Sequence, residues 1–443
     1  MKGIKLKPVE PIMVIGAGLA GCEAAWQIAK RGGRVILYEM KPGTYSPAHR
    51  SPFFAELVCS NSFKSESMEN ASGVLKEEMS QLDSLILEVA QEARVPAGDS
   101  LAVDREVFSR EVTQILENLE NVEVIRKEVS SLPQNGITVM ATGPLTSDGL
   151  SREMQQVMGA RGLFFYDAIS PIITADSIDF QKAFKSSRYG KGGDDYINCP
   201  MNEEEYYRFV EALNQAEKVS VRQFEKRYLF EGCLPIEEMA SRGKDTLAFG
   251  PLKPVGLVDP KTGKQPFAVV QLRQEDRFER LFNLVGFQTR LKHEEQKRVF
   301  QMIPGLEEAE FVRLGSMHRN TFIDSPRLLE ESLQLKRHPN LFVAGQITGV
   351  EGYMESTAMG LLSGINAFRY ADGRTTVVPP LTTAMGALIH YITHSLAHPF
   401  QPMNINFGLF PPLPGRSKGR ARRLLLGKRA LLEMREWKKE VDG

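Results

Sequence analysis

The chain has 443 residues, of which 42% are hydrophobic and 25% charged, and 55 basic residues balance 55 acidic ones. This length suggests two globular domains, and the balanced charge excludes a general attraction to an anionic partner. No apolar run approaches the roughly 20 residues of a membrane-spanning helix, and the few cysteines do not form a disulfide framework. We therefore expect a cytoplasmic protein without a signal peptide or membrane contact.

The first predicted elements form a βαβ unit of the kind that binds dinucleotides. A buried strand at residues 12–15 leads into the turn Gly16-Ala17-Gly18-Leu19-Ala20-Gly21, then a helix, then a second strand that ends at Glu39. Gly16 makes the tight turn, Gly18 lets the backbone approach a pyrophosphate, and Gly21 allows close helix–strand packing. The helix N-terminus offers N–H groups to phosphates. Glu39 is placed to accept hydrogen bonds from ribose hydroxyls.

The elements that follow alternate between helix and strand. Residues 73–92 predict one helix from their apolar spacing, and residues 122–125 and 137–140 predict strands, the second of which runs into a glycine turn. Between residues 173 and 318, aromatic and charged residues alternate with turn signals, which indicates an inserted domain. A strand that ends at Gly345 and a helix at residues 356–370 then return the chain to the first domain.

The predicted fold class is α/β. A doubly wound, Rossmann-like dinucleotide-binding domain is formed by residues 1–172 and 319–443, and a mixed α/β domain is inserted at residues 173–318. The last segment ends in a basic C-terminal helix, for which a solvated face is the first interpretation and a phosphate-binding surface the second.

A late strand–glycine–helix element indicates which dinucleotide is bound. Gly345, Gln346 and Tyr353 lie where two-dinucleotide flavoproteins close over the flavin, with a helix N-terminus that stabilises negative charge on the reduced ring. Many flavoproteins have Asp at the position of Gln346, but an amide also hydrogen-bonds a ribityl hydroxyl. No second glycine-rich unit is evident for a nicotinamide cofactor. We therefore predict bound FAD and expect any nicotinamide cofactor to bind only transiently.

The cysteines and histidines are the remaining candidates for chemistry. Cys59 and Cys233 lie in turn-like contexts, where a thiolate is exposed, although a buried apolar role stays open for each. In a flavoprotein they suggest a redox disulfide or a thiol nucleophile. Cys22 and Cys199 are predicted to be core residues. We assign no metal-ligand spacing to the seven histidines and predict no metal site.

The sequence resembles the folate- and FAD-dependent tRNA (uracil-5-)-methyltransferases from about residue 11 to residue 410. The resemblance is carried by residues 16–25, 47–49, 95–98, 102–105, 317–322 and 344–353 and by two cysteine motifs, Cys59-Ser60-Asn61-Ser62 and Phe230-Glu231-Gly232-Cys233-Leu234-Pro235. It implies methylation of uridine 54 in the T-loop of tRNA. It also implies 5,10-methylenetetrahydrofolate as the carbon donor, reduced FAD as the hydride donor and NAD(P)H as a co-substrate.

The resemblance also implies residue roles. Cys233 adds to uracil C6 and makes C5 nucleophilic, while Cys59 lies beside the flavin and assists removal of the C5 proton, with its thiolate stabilised by the neighbouring Ser-Asn-Ser groups. For the folate, His318 or Tyr353 could stack on the pterin and Arg319 could bind the glutamate. A structural role for these residues stays open.

The partners expected are tRNA and a small-molecule folate, and no obligate protein partner is evident. Basic residues of the inserted domain are expected to bind the tRNA phosphates, and the basic tail is a further candidate. The residues are Arg273, Arg277, Arg280, Arg290 and Lys292. Three alternatives stay open. One is the related flavoprotein that modifies wobble uridines, which is usually longer. The second is a non-catalytic tRNA-binding flavoprotein in which FAD is structural. The third is a flavin disulfide reductase or NADH oxidase that uses Cys59 and Cys233.

Overall fold

The computed structural model describes residues 10–133, 135–158, 163–168, 170–190, 193–219, 234–396, 400–415 and 417–442, with residues 163–168 and 317–319 described by their backbone. Within these ranges, no helix combines the length and apolar character needed to cross a bilayer.

The strands follow one another along the chain in the following order. The first nine are β1 (Ile12–Ile15), β2 (Val35–Glu39), β3 (Ser62–Ser65), β4 (Arg94–Val95), β5 (Ser100–Val103), β6 (Val122–Arg126), β7 (Thr138–Met140), β8 (Leu163–Ala168) and β9 (Ile172–Thr174). They are followed by β10 (Phe184–Lys185), β11 (Tyr196–Met201), β12 (Ala268–Gln274), β13 (Leu281–Leu284), β14 (Phe311–Arg313), β15 (Met317–Phe322), β16 (Gln334–Leu335) and β17 (His338–Val343).

The helices alternate with these strands. The first seven are α1 (Leu19–Ala29), α2 (Ala71–Gln81), α3 (Leu85–Glu92), α4 (Arg105–Glu117), α5 (Asp148–Met158), α6 (Glu203–Gln215) and α7 (Ile236–Ala240). They are followed by α8 (Thr246–Phe249), α9 (His293–Phe300), α10 (Ser325–Leu328), α11 (Tyr353–Ala371), α12 (Ala384–His394) and α13 (Gly419–Asp442).

The first sheet has the strand order β16-β17-β7-β1-β2-β6. Strands β17, β7, β1, β2 and β6 are parallel, and β16 is an antiparallel edge strand. The chain leaves β1 toward β2 on one side, while β7 and β17 join on the other, so the strand order reverses beside β1. Ligands of such sheets bind at the carboxyl ends of the strands at this reversal. The predicted α/β fold with a Rossmann-like sheet is confirmed.

A second six-stranded sheet is antiparallel, with the order β10-β11-β12-β13-β9-β14. Helices α6, α7 and α9 contribute to its core, which forms a hydrophobic cluster separate from that of the first sheet. Its strands lie within the segment for which an inserted domain is predicted, and the domain boundaries themselves stay predictions. Two smaller antiparallel sheets, β15-β8 and β3-β5-β4, complete the strand pairing of the described residues.

Helices α1 and α11 pack with their backbones in direct contact. A Cβ atom at Gly360 would lie 2.2 Å from the carbonyl oxygen of Ala20, and one at Gly364 would lie 2.6 Å from that of Ala24. Because real Cβ atoms do not approach a backbone oxygen this closely, only glycine fits at these two positions. The pairing brings the N-terminal ends of both helices to the same edge of the first sheet.

The single helix predicted over residues 73–92 is wrong, because the structure has two helices there. The chain turns at Asp83, which has a left-handed φ of 55°. Ser84 then caps α3 by accepting a hydrogen bond from the backbone N–H of Leu87. The apolar spacing continues through the break because both helices bury residues in the same core.

The basic C-terminal segment is a helix, α13, that packs on the protein along one side. Leu426, Met434 and Trp437 are buried in the first core. Lys438 donates to the carbonyl oxygen of Gln81 at 2.6 Å, and Arg369 of α11 donates to the carbonyl oxygen of Val441 at 3.1 Å. The expectation of a solvated helix therefore holds only for its other side.

The close contact of the two helices can be tested by adding one methyl group. We expect Gly364→Ala to lower the free energy of unfolding by about 1–3 kcal/mol, because the methyl is forced against the backbone of α1. Urea titration measures the change. The matched control is Gly149→Ala in α5, where the nearest atom is a serine Cβ at 3.3 Å and helix propensity favours alanine by about 1 kcal/mol. An equal response of the two variants would contradict the packing argument.

Candidate functional site

A deep cleft opens at the carboxyl ends of the first sheet's strands. Its empty volume, counted with its open mouth, is about 1110 Å³. Predicted site residues that line it are Gly16, Ala17, Gly18, Leu19, Ala20, Glu39, Gly345, Gln346 and Tyr353. Residues 141–144, the glycine turn expected after the strand at 137–140, also line it, as do residues 127–129 and 145–147, which the sequence reading did not assign. Residues far apart in sequence therefore meet in one concave site, as cofactor binding requires.

The glycine turn has the geometry of a pyrophosphate site. Gly16 has a left-handed φ of 98°, and a Cβ at Gly21 would lie 1.7 Å from the carbonyl oxygen of Gly16. A Cβ at Gly18, by contrast, would meet no described protein atom within 4 Å, because this residue faces the cleft. Gly18 is also the N-cap of α1 and provides no side-chain cap among the described contacts. The first N–H groups of α1 are therefore available to an anion.

Glu39 is held by the backbone on both oxygens. Its Oε2 accepts a hydrogen bond from the Ala17 N–H and its Oε1 from the Lys41 N–H, each at 2.9 Å. A carboxylate has about four acceptor positions, so two remain for ribose hydroxyls. The adjacent Lys41 also lines the cleft, and its Nζ donates to the carbonyl oxygen of Phe53 and lies 3.2 Å from Glu56 Oε2.

The β17–α11 connection forms the opposite wall. Gln346 Nε2 donates to Glu351 Oε2 at 2.7 Å, which fixes the amide with its oxygen as the remaining acceptor. Helix α11 then begins at Tyr353 after Gly352, an N-cap without a side-chain cap in the described structure. Tyr353 and Ser356 face the cleft. Thus α11, like α1, presents an N-terminus to the site.

Tyr353 joins this wall to the Cys59 loop. Its Oη accepts hydrogen bonds from the backbone N–H groups of Cys59 at 2.9 Å and Ser60 at 3.2 Å, and it lies 3.1 Å from Cys59 Sγ. Burial raises the pKa of the Tyr353 phenol well above its usual value, and the neighbouring Cys59 adds to this shift. The phenol therefore keeps its proton. Because its lone pairs accept from two N–H groups, the O–H is directed toward the sulfur.

The second sheet contacts the Cys59 loop through hydrogen bonds from Arg273. Arg273 of β12 donates to Ser60 Oγ at 2.8 Å and to Asn61 Oδ1 at 2.9 Å. Asn61 Nδ2 in turn donates to the carbonyl oxygens of Val103 and Gln274. The Ser60 and Asn61 side chains therefore accept hydrogen bonds from Arg273. Stabilisation of the Cys59 thiolate by the Ser-Asn-Ser groups stays a prediction. Sequence reasoning missed Tyr353 in this role, because only the tertiary structure brings it to Cys59.

Several predicted phosphate ligands of the inserted segment are engaged within the protein. Arg273 and Arg290 are buried, and Arg290 pairs with Glu238. Arg280 pairs with Asp276 at 2.8 Å and Lys292 with Glu217 at 2.5 Å, while Arg277 donates to a backbone carbonyl oxygen. Arg273 and Arg290 are therefore wrong as tRNA contacts. An arginine that is fixed by buried acceptors cannot be distinguished from an exposed one by its sequence.

The remaining predicted residues are described less fully. Cys233 lies outside the described residues. His318 and Arg319 belong to β15, which pairs with β8, and their description is limited to the backbone. The same strand reaches the cleft at Thr321, whose N–H donates to the carbonyl oxygen of Pro144 at 2.8 Å. Cys22 and Cys199 are buried, and burial raises the pKa of both thiols, in agreement with the core assignment.

Comparison with known proteins identifies relatives of this chain and solved structures that share its fold. A family model described as glucose inhibited division protein A matches residues 11–375. The chain is 60% identical over 427 residues to the methylenetetrahydrofolate–tRNA-(uracil-5-)-methyltransferase TrmFO of Geobacter sulfurreducens. The aligned region covers 96% of this chain and 98% of the relative. It is 57% identical over 423 residues to the TrmFO of Moorella thermoacetica, with 95% and 97% covered. The solved GidA structure of Aquifex aeolicus shares the fold, with a TM-score of 0.72 at 17% identity over 97% of this chain and 73% of that chain.

The contact between Tyr353 and Cys59 predicts a change in thiol reactivity. We expect Tyr353→Phe to slow alkylation of Cys59 at a fixed pH, because the O–H group that stabilises a thiolate is removed. Peptide mass mapping after a timed iodoacetamide pulse, repeated over a pH series, measures the rate. Tyr391→Phe on α12, whose hydroxyl bonds to the Gln401 carbonyl oxygen, is the control. Equal rates in both variants would show that the phenol does not act on the sulfur.

Proposed function

This chain belongs to the methylenetetrahydrofolate–tRNA-(uracil-5-)-methyltransferase family, and we propose that it methylates C5 of uridine 54 in the T-loop of tRNA. The proposed carbon donor is 5,10-methylenetetrahydrofolate, and NAD(P)H is the proposed reductant. The proposal is carried by one observation: Tyr353 lines the cleft beside the glycine turn and also contacts the Cys59 loop. A methylene is at the oxidation level of formaldehyde, so the reaction needs a hydride donor, and uracil C5 becomes nucleophilic when a thiolate adds to C6.

The residues of the cleft fit FAD. The open cradle at Gly18 and the uncapped start of α1 suit the pyrophosphate, since no Cβ fills the first and N–H groups are available at the second. Glu39 would hold the adenosine ribose and Gln346 a ribityl hydroxyl. The N-terminus of α11 would stabilise negative charge on the flavin. When bound, reduced FAD supplies the hydride that completes the methyl group.

The protein's own groups would prepare the uracil. The Cys233 thiolate would add to C6, and the C4–C5 enolate that results would attack the methylene carbon as one of its bonds to a folate nitrogen breaks. Removal of the C5 proton would break the second carbon–nitrogen bond and release the folate, and the thiolate would leave C6 as the hydride adds to the exocyclic methylene. Cys59 is proposed to assist that proton removal, and Tyr353 is proposed to stabilise its thiolate by the hydrogen bond described above. Arg273 acts through the loop as a positioning residue, because it fixes Ser60 and Asn61.

Folate and tRNA would approach from the open side of the cleft. His318 and Arg319, on the strand that reaches the cleft rim, are proposed to contact the pterin and the glutamate. The exposed face of α13, which carries Arg422, Arg423 and Lys428, replaces the buried arginines as the proposed phosphate-binding surface. Flipping the uridine out of its stack costs a few kcal/mol, which phosphate contacts can offset. A tRNA substrate also supports a cytoplasmic location.

The cofactor site predicts a variant that folds but loses its colour. We expect Gly18→Val to purify with less than about a tenth of the wild-type FAD, because the side chain fills the space proposed for the pyrophosphate. Absorbance of the released flavin measures occupancy, and circular dichroism confirms folding. Gly193→Val, at an exposed position with ordinary contacts, is the matched control. A fully yellow Gly18→Val protein would refute the proposed placement.

The cysteine roles can be separated with tRNA that carries 5-fluorouracil at the target position. Because fluorine replaces the removable proton, the wild-type protein should stall as a covalent adduct that survives denaturation. Cys233→Ala should form no adduct and lose methylation by orders of magnitude, whereas Cys59→Ala should still form some adduct. Gel electrophoresis detects the adduct, and nucleoside analysis with labelled methylenetetrahydrofolate detects methylation.

The control for these variants is Cys199→Ala, which removes a buried thiol of the second core. It should retain both the adduct and the methylation. If the adduct disappears only in Cys59→Ala, the two roles are exchanged. If it persists in both variants, the thiol mechanism does not apply to this chain.

A further inference from the structure

Two histidines and a glutamate meet on the surface, outside the described lining of the cleft. His390 and His394 lie one helical turn apart on α12, with their rings stacked at 4.4 Å and an interplanar angle of 17°. Glu331, in the connection between α10 and β16, reaches both rings. The spacing His-x-x-x-His is present in the sequence, and the prediction of no metal site overlooked it.

The distances describe three groups around a shared gap. Glu331 Oε1 lies 3.7 Å from Nδ1 of His390 and 3.6 Å from Nδ1 of His394, both longer than a hydrogen bond. One ligand atom from each side chain lies within 4.8 Å of the others. In a tetrahedral site with bonds of about 2.0 Å, ligand atoms are roughly 3.3 Å apart. Small rotations of these partly exposed side chains would therefore close the group on a cation.

We propose that Glu331, His390 and His394 form a binding site for a divalent transition metal of the zinc class. Two imidazoles and one carboxylate are the donors that such ions prefer, whereas magnesium and calcium select oxygen ligands. Water completes the coordination, and His398, four residues beyond His394 in the sequence, lies outside the described residues. The ion would tie α12 to the edge of the first sheet beside β16. It would act on stability and leave the cleft chemistry unchanged.

The side chain of His394 has a second contact that the ion must accommodate. Thr393 Oγ1 lies 2.9 Å from Nδ1 of His394. The Thr393 hydroxyl also donates to the Ile389 carbonyl oxygen at 2.8 Å, so it does not depend on the imidazole for a partner. Metal binding at Nδ1 would therefore displace one contact that the threonine can lose without being left unsatisfied.

The test titrates zinc into the full-length, flavin-loaded protein without an affinity tag, in competition with a chromophoric chelator. We expect one equivalent to bind, and we expect Glu331→Gln, His390→Gln and His394→Gln each to weaken it by about tenfold or more. Zinc should raise the thermal midpoint of the wild-type protein but not of these variants. His293→Gln, at an exposed histidine on α9, is the matched control and should bind like wild type.

Two outcomes would overturn the proposal. If the three variants bind zinc as tightly as wild type, another group, such as the thiols near the cleft, holds the ion. If no equivalent binds in competition with the chelator, Glu331 makes only a carboxylate–histidine contact. Because all three side chains are on the surface, a folding failure is not expected, and the midpoints of the metal-free variants check this.

Discussion

The close pairing of helices α1 and α11 is the constraint on which the site depends. At Gly360 and Gly364 no side chain separates the two backbones. The two helices begin after Gly18 and Gly352, and neither start is capped by a side chain in the described structure. Two positive helix ends therefore converge on one cleft, which favours a ligand that carries negative charge at two separated places. A pyrophosphate and a reduced flavin ring are such a pair.

The second sheet contributes to the same site through buried polar contacts. Arg273 and Asn61 connect β12 to the Cys59 loop, and Arg105 pairs with Glu275 at 2.6 Å while it donates to the Leu57 carbonyl oxygen. Buried charges are costly unless they are paired and hydrogen-bonded. Arg105 is paired with Glu275, and Arg273 is hydrogen-bonded to the neutral side chains of Ser60 and Asn61, so these contacts fix the loop relative to the cleft. Arg273 of this sheet and Arg105 of α4 thus position the cysteine loop, and for Arg273 this role differs from the predicted binding of tRNA.

The sequence predicted local features well and long-range contacts poorly. The βαβ unit and the strand that ends at Gly345 were predictable, because glycine spacing and apolar runs are local signals. The break at Asp83 was missed, since apolar periodicity continues through it. The burial of Arg273 and Arg290 and the contact of Tyr353 with Cys59 depend on residues distant in the chain. The His390–His394 spacing was a local signal that was present and overlooked.

The order of strands in the first sheet has a consequence for synthesis on the ribosome. Strand β17 pairs with β7 although the whole second sheet lies between them in the chain. The strands of the second sheet all emerge before β17 does, so that sheet can pair first, as domains do during translation. Until β17 emerges, β7 has an unpaired edge, and unpaired strand edges can pair with other chains. The nascent protein is therefore most exposed to aggregation while its second sheet is already folded.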